Sequence, residues 1–180
     1  SVSRDGSAEL TQFWDVNVVS GTEFYIPVSN LDHMDISNLR VSENGVDFIS
    51  DGENWDVKRS ASQKAGRCGI VRKKDGLELC WGQGKYGDHL WTVKYRIKGL
   101  VQAYPDYDGF NYMFVNPGMI AAPQYVRVEI VNASGTGKWT SEKVRVWGFG
   151  SHGEINLTDS GSIVYESTRP FSRKSSVICL

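Results

Sequence analysis

An all-β fold, read as a two-sheet antiparallel β-sandwich of jelly-roll-like or Ig-like type with at most short helical turns, follows from three features of the sequence. Apolar residues recur with a period of two in one short run after another, glycine-containing turns divide the runs, and no stretch carries a helical period of useful length. Six Trp, eight Tyr and seven Phe add flat rings that suit a pleated face, and nineteen Gly against five Pro suit a chain of many turns. At 180 residues a single domain over 1–180 can bury one adequate core.

The elements follow in order. Ala8 to Val18 places Leu10, Trp14, Val16 and Val18 on one parity and Glu9, Thr11, Asp15 and Asn17 on the other, a half-buried strand in which Phe13 is the exception. Ser20-Gly21-Thr22 turns into a second strand from Glu23, where Pro27 argues for a sheet edge or a strand end. Asn30 to Asp35 has room for one capped helical turn. Asn44-Gly45 predicts a tight hairpin between Ile36–Ser42 and Val46–Ile49. Lys58 to Lys64, with two serines and no apolar rhythm, reads as an exposed loop.

Arg67 to Tyr95 reads as a three-strand meander, with Asp75-Gly76 in the first turn and Gly82 to Asp88 as the second. Lys98 to Tyr104 extends or follows its third strand. Pro105 to Gly109 then breaks the pattern before Phe110–Val115 resumes it, and Pro117 to Pro123 reads as a loop. Gln124–Asn132, Glu142–Phe149, Glu154–Leu157 and Ile163–Glu166 are further strands, for a total of roughly ten to thirteen.

Twenty basic and twenty-one acidic residues leave a net charge of -1, and neither sign is concentrated, so nucleic acid is not an expected partner. No apolar run approaches the roughly 18 residues of a membrane span, and Ser1–Gly6 lacks the apolar stretch of a signal peptide. Residues 175–180 stop within an apolar run, from which a longer native chain is expected.

Three segments carry a family resemblance: the opening DGSAELTQFWDV, the stretch LELCWGQGKYGDHLWTVKYRIKGLVQAY, and DGFNYMFVNPG. With these the chain resembles the extracytoplasmic domain of predicted membrane proteins in the domain of unknown function 2207 family. The resemblance implies a periplasmic or cell-surface location, with a secretory signal before the domain and transmembrane helices after it, both in segments absent from this sequence. It implies no catalytic residue.

Candidate sites are few. Cys68 and Cys80 lie on the two arms of one hairpin at positions of equal parity. A three-residue loop with Gly76 as a bulge makes them diagonal neighbours at roughly 7–8 Å between α-carbons, near the limit of disulfide geometry, whereas a loop centred on Lys74 sets them opposite each other. A disulfide and two buried thiols both remain open, and oxidation would fit export. Cys179, among apolar residues, reads as a buried strand residue.

Gly82-Gln-Gly-Lys-Tyr-Gly87 has the spelling of a dinucleotide loop, but a strand follows it where a helix is required, so it reads as a turn. Gly135-Thr-Gly-Lys138 reads as a turn as well, and Asp106-Tyr-Asp-Gly109 does not place oxygen ligands at the positions an EF-hand needs. His33, His89 and His152 lack zinc spacing, so no metal and no cofactor are expected. Asn132-Ala-Ser and Asn156-Leu-Thr match the glycosylation sequon.

Tyr104, Tyr107, Phe110 and Tyr112 form the candidate ligand-binding group, an aromatic platform for a sugar or a partner protein. The competing reading buries two or three of those rings in the core. The leading functional expectation is a non-catalytic scaffold or interaction module, membrane-anchored and outside the cytoplasm. The alternative is a glycan- or peptide-binding module using this aromatic loop. A third is a glycoside hydrolase-like sandwich with a carboxyl pair drawn from Glu78, Asp88 or Glu129.

Overall fold

The computed structural model describes residues 1–180 except Gly118, Ile120, Arg173 and Leu180. The expected loop 117–123 and the apolar terminus at 175–180 therefore lie partly outside the described residues. Strand makes up 49% of the chain and helix 2%, in several antiparallel sheets of which none is closed. The all-β expectation holds at that level. The chain divides into two compact units, a central one of Glu9–Ile97 and a split one of Ser1–Ala8 with Lys98–Leu180.

The central unit contains β1 (Ala8–Val18), β2 (Glu23–Ser29), β3 (Asp35–Glu43), β4 (Val46–Asp47), β5 (Ile49–Ser50), β6 (Arg67–Lys73), β7 (Gly76–Gly82) and β8 (Gly87–Lys98). One sheet has the order β1-β8-β3-β4 and the other β2-β7-β6-β5. Pro27 sits in β2, an edge strand as expected, because proline has no N–H to give to a second neighbour.

The expected meander is only half right. β6 and β7 form a hairpin, but β8 belongs to the other sheet, because β7 is already paired on both sides, with β2 and with β6. β8 alternates cleanly, with His89, Trp91, Val93, Tyr95 and Ile97 buried. Its Trp91 meets Trp81 of β7 at 5.5 Å and Phe24 of β2 at 5.6 Å between ring centroids, and Trp14 of β1 meets Phe24 at 5.4 Å. Rings from both sheets thus share one aromatic core.

The turn of the β6–β7 hairpin is Lys74-Asp75, and Lys73 pairs with Gly76. Gly76 is not in the turn because its backbone packs against the carbonyl of Val28 on β2, at a φ of 151°, leaving no room for a Cβ. Asn44-Gly45 joins β3 to β4 as expected. The helical turn expected within 30–35 is instead a non-helical turn that leads directly into β3.

One short helix, α1 (Ala61–Lys64), interrupts the segment read as an exposed loop. Ser60 caps it: its hydroxyl accepts from the Gln63 N–H, and the Gln63 side chain accepts from the Ser60 N–H at 3.0 Å.

The split unit holds β9 (Gln102–Ala103), β10 (Asp108–Gly109), β11 (Tyr112–Val115), β12 (Arg127–Ile130), β13 (Gly148–Phe149), β14 (Gly153–Leu157), β15 (Ile163–Ser167) and β16 (Val177–Cys179). They form a β9–β10 hairpin and two three-stranded sheets, β11-β16-β13 and β12-β15-β14. The strand expected over Glu142–Phe149 shrinks to its last two residues, since 141–143 form a turn. Val2 ties the amino terminus to this unit by pairing with Ala8 and Asn132.

Candidate functional site

The β9–β10 hairpin builds the most distinctive surface feature in the split unit. Asp108 pairs with Ala103 and Gly109 with Gln102, and the Tyr104 N–H donates to the Tyr107 carbonyl at 2.8 Å. Pro105 and Asp106 fill the turn; proline's fixed φ suits the first central position of such a turn. Because opposed residues of an antiparallel pair share a face, this register puts both tyrosines on one side of the ribbon. Their rings stack at 4.7 Å between centroids with planes 21° apart.

Tyr104 is 45% exposed and Tyr107 is 59% exposed. Gln102 and Gly109 occupy the same face beneath them. The Tyr104 hydroxyl donates to Gln102 Oε1 at 3.0 Å, and a Cβ on Gly109 would meet the Tyr107 ring at 3.2 Å, so the missing side chain lets that ring settle against the backbone. Asp106 is exposed in the turn, and Asp108, opposite Ala103, is exposed on the other face of the ribbon.

The other two members of the expected platform lie elsewhere. Phe110 is half-buried, and Tyr112 is a β11 core residue, 4% exposed, opposite Cys179 and edge-on to Phe114 at 5.1 Å. Alternation accounts for the loss of Tyr112: β11 presents it to the interior. The candidate platform is therefore reduced to the exposed, stacked Tyr104 and Tyr107.

Of the two readings left open for Cys68 and Cys80, the structure has two buried thiols and no disulfide. The two-residue turn sets Cys68 opposite Trp81 and Cys80 opposite Gly69, so the two thiols project from opposite faces of the same hairpin. Both are free and buried, as is Cys179. Burial pushes the Cys68 and Cys179 thiols up to about 11 and the Cys80 thiol to about 12. None has the depressed value of a nucleophile.

The carboxylates proposed for glycoside hydrolysis each have a local partner. Glu78 is bridged by Lys73 at 3.0 Å, Asp88 accepts from Asn17 at 2.6 Å, and Glu129 accepts from Arg127 at 2.9 Å. Among the described residues no group of three or more His, Cys, Asp or Glu side chains is placed to hold a metal ion. His89 is buried with both ring nitrogens engaged, Nδ1 with Glu43 at 2.8 Å and Nε2 with the Lys85 carbonyl at 3.0 Å, and its ring stacks on Trp91. Asn132 of the first sequon spends its amide on its own loop, donating to the Gly137 carbonyl at 2.8 Å.

Two polar clusters of the central unit escape a reading of periodicity. Lys64 is only 2% exposed; its Nζ donates to the Val57 carbonyl at 2.7 Å and to Thr22 Oγ1 at 3.1 Å, and it lies 3.3 Å from Glu23. The same Glu23 oxygen accepts from the Trp55 indole at 2.7 Å. Asp51 accepts from Arg67 and Arg59, and these bonds, Arg67's first, hold its carboxyl below the usual 3.8. A Ser60-x-x-Gln63 capping box is the sequence signal that would have placed Lys64 in a helix rather than a loop.

Compared with known families, curated proteins and solved structures, the chain matches none.

Proposed function

We propose that this chain is a non-catalytic binding module that recognises a glycan on the stacked tyrosines of the β9–β10 hairpin. The observation that carries the proposal is the exposed Tyr104–Tyr107 pair, 4.7 Å apart and built into the hairpin register. Two rings held against each other lose little conformational freedom when a ligand settles on them, and the C–H face of a sugar ring is a natural partner for an aromatic face. The exposed Asp106 carboxylate in the turn accepts hydrogen bonds from hydroxyl groups. A protein partner fits less well, because a specific protein interface buries on the order of 1,200–2,000 Å², far more than a hairpin tip of this size presents.

Two further parts of the proposal rest on other grounds. The shared aromatic core of Trp14, Phe24, Trp81 and Trp91 favours a two-sheet sandwich for the central unit. The extracytoplasmic, membrane-anchored setting rests on the resemblance to the domain of unknown function 2207 family. No helix among the described residues is long and apolar enough to cross a membrane.

The test is a glycan array probed with the wild-type chain and with Tyr104→Ala/Tyr107→Ala. Binding by the wild type with at least a tenfold loss in the variant, about 1.4 kcal/mol, is the expected result. A silent array, or equal signal from the two chains, would contradict the proposal.

A further inference from the structure

We propose that the Tyr104–Tyr107 site selects glycans that carry free, protonated amino groups, of glucosamine type, over neutral and acidic ones. This rests on the glycan-binding reading above and adds the ligand's charge to it. The chain around the hairpin has one sign. Between Lys98 and Arg127 the only charged residues are Asp106 and Asp108, with no Lys, Arg or His. Both carboxylates are exposed, and among the described residues neither has a hydrogen bond or an ion pair. Elsewhere in the fold Asp51, Glu53, Glu78 and Glu129 are each held by an Arg or a Lys. The amino-terminal segment meets the base of the hairpin, where the Val101 N–H donates to the Gly6 carbonyl at 3.0 Å, and its adjacent Arg4 and Asp5 cancel in charge.

The rings favour the same ligand charge by a separate route. The face of an aromatic ring is negative and attracts a cation held within about 6 Å of its centroid. Stacked at 4.7 Å with planes 21° apart, Tyr104 and Tyr107 cover one face of each other, so a ligand meets their outer faces and edges. Asp106 adjoins Tyr107 in the turn, and consecutive α-carbons lie about 3.8 Å apart. Asp108, on the other face of the ribbon, acts on the same ligand only through its field.

Magnitudes set what selectivity to expect. A unit positive charge about 7 Å from a carboxylate in water gains about threefold in affinity, and an ammonium over an exposed ring gains about two- to fivefold. Together they give an amino sugar about a tenfold advantage over its N-acetylated, uncharged counterpart. A sugar carboxylate meets both effects with the opposite sign. The carboxylate contribution is screened by salt, because the Debye length falls from about 20 Å at about 20 mM to about 4 Å at about 500 mM. The contact with the rings is short-ranged and persists.

Titration of the intact chain with the trisaccharides of glucosamine, N-acetylglucosamine and galacturonic acid, at mildly acidic pH and at both salt levels, tests this. At low salt the glucosamine trisaccharide is expected to bind about tenfold more tightly than the N-acetylglucosamine one, with the galacturonate weakest. High salt should reduce the first ratio to about two- to fivefold. Asp106→Asn should reduce it about threefold at low salt, and Tyr104→Ala/Tyr107→Ala should weaken glucosamine binding at least about tenfold. Equal or tighter binding of N-acetylglucosamine would overturn the proposal and leave the glycan reading standing. A preference indifferent to salt, or glucosamine binding that survives loss of both tyrosines, would overturn it too, the latter as unspecific attraction to a chain of net charge -1. Silence from all three sugars also overturns it, and the glycan array then decides whether the glycan reading falls with it.

Discussion

Lys64 keeps its ammonium inside the protein because every one of its protons has somewhere to go: the Val57 carbonyl, the Thr22 hydroxyl and the Glu23 carboxylate. Removing one partner of a buried pair leaves the other uncompensated. Lys64→Met, which keeps the stem and deletes the charge, is expected to lower stability by about 3 kcal/mol, read as a fall in the urea midpoint at constant slope. An unchanged midpoint would show that the cluster is not formed. Lys64 was invisible to a reading based on apolar rhythm, because KRSASQK contains none; what betrays it is the Ser60–Gln63 capping box. The thiols were half legible. Sequence named them as buried or paired, and the structure buries all three. Since burial raises them from 9.0 to about 11 or 12, the folded chain keeps protons that the unfolded chain has released at alkaline pH. Their contribution to stability is therefore complete below about pH 9 and is lost as the pH rises through the folded values. Native chain should resist a thiol reagent below that pH while urea-unfolded chain reacts at three sites, and rapid labelling of native chain would contradict the burial.

At the scale of elements, the hairpin β6–β7 shows how one residue of turn geometry decides chemistry. Asp75-Gly76 is a strong turn signal, yet the turn sits one residue earlier because Gly76 is needed where β7 presses on Val28. That need comes from β2, far away in sequence, so local reading cannot supply it. The one-residue difference moves Cys68 and Cys80 to opposite faces. Gly82 is a second such contact: its α-carbon faces the backbone carbonyl of Lys64, with no room for a Cβ. Gly82→Ala is expected to destabilise the chain by about 2 kcal/mol, measured by urea denaturation, and a neutral effect would mean that α1 does not pack against β7 as described. The pairing of β9 with β10 was not legible, since Pro105 to Gly109 reads as a break in the pattern, but the ingredients of its turn were. Pro105 and the tyrosines on either side of its turn are local features, and only the fate of Phe110 and Tyr112 depended on strands that pair from elsewhere in the chain.

At the scale of the molecule, the all-β class was readable because period-two patterning and glycine turns are properties of each segment by itself, as the clean alternation of β8 illustrates. Which sheet a strand joins is not such a property, and β8 leaves the expected meander for a sheet with β1 and β3. The candidate site was legible only as an aromatic cluster in need of sorting, and the structure sorts it into two exposed and stacked rings, one half-buried ring and one buried ring. The most direct measurement of the central claim is an NMR titration of the intact chain with a glycan, following the tyrosine ring and backbone resonances. Shifts confined to residues 102–109 and abolished by Tyr104→Ala/Tyr107→Ala are the predicted result. Saturable binding that leaves those resonances unmoved, or survives the double substitution, would contradict it.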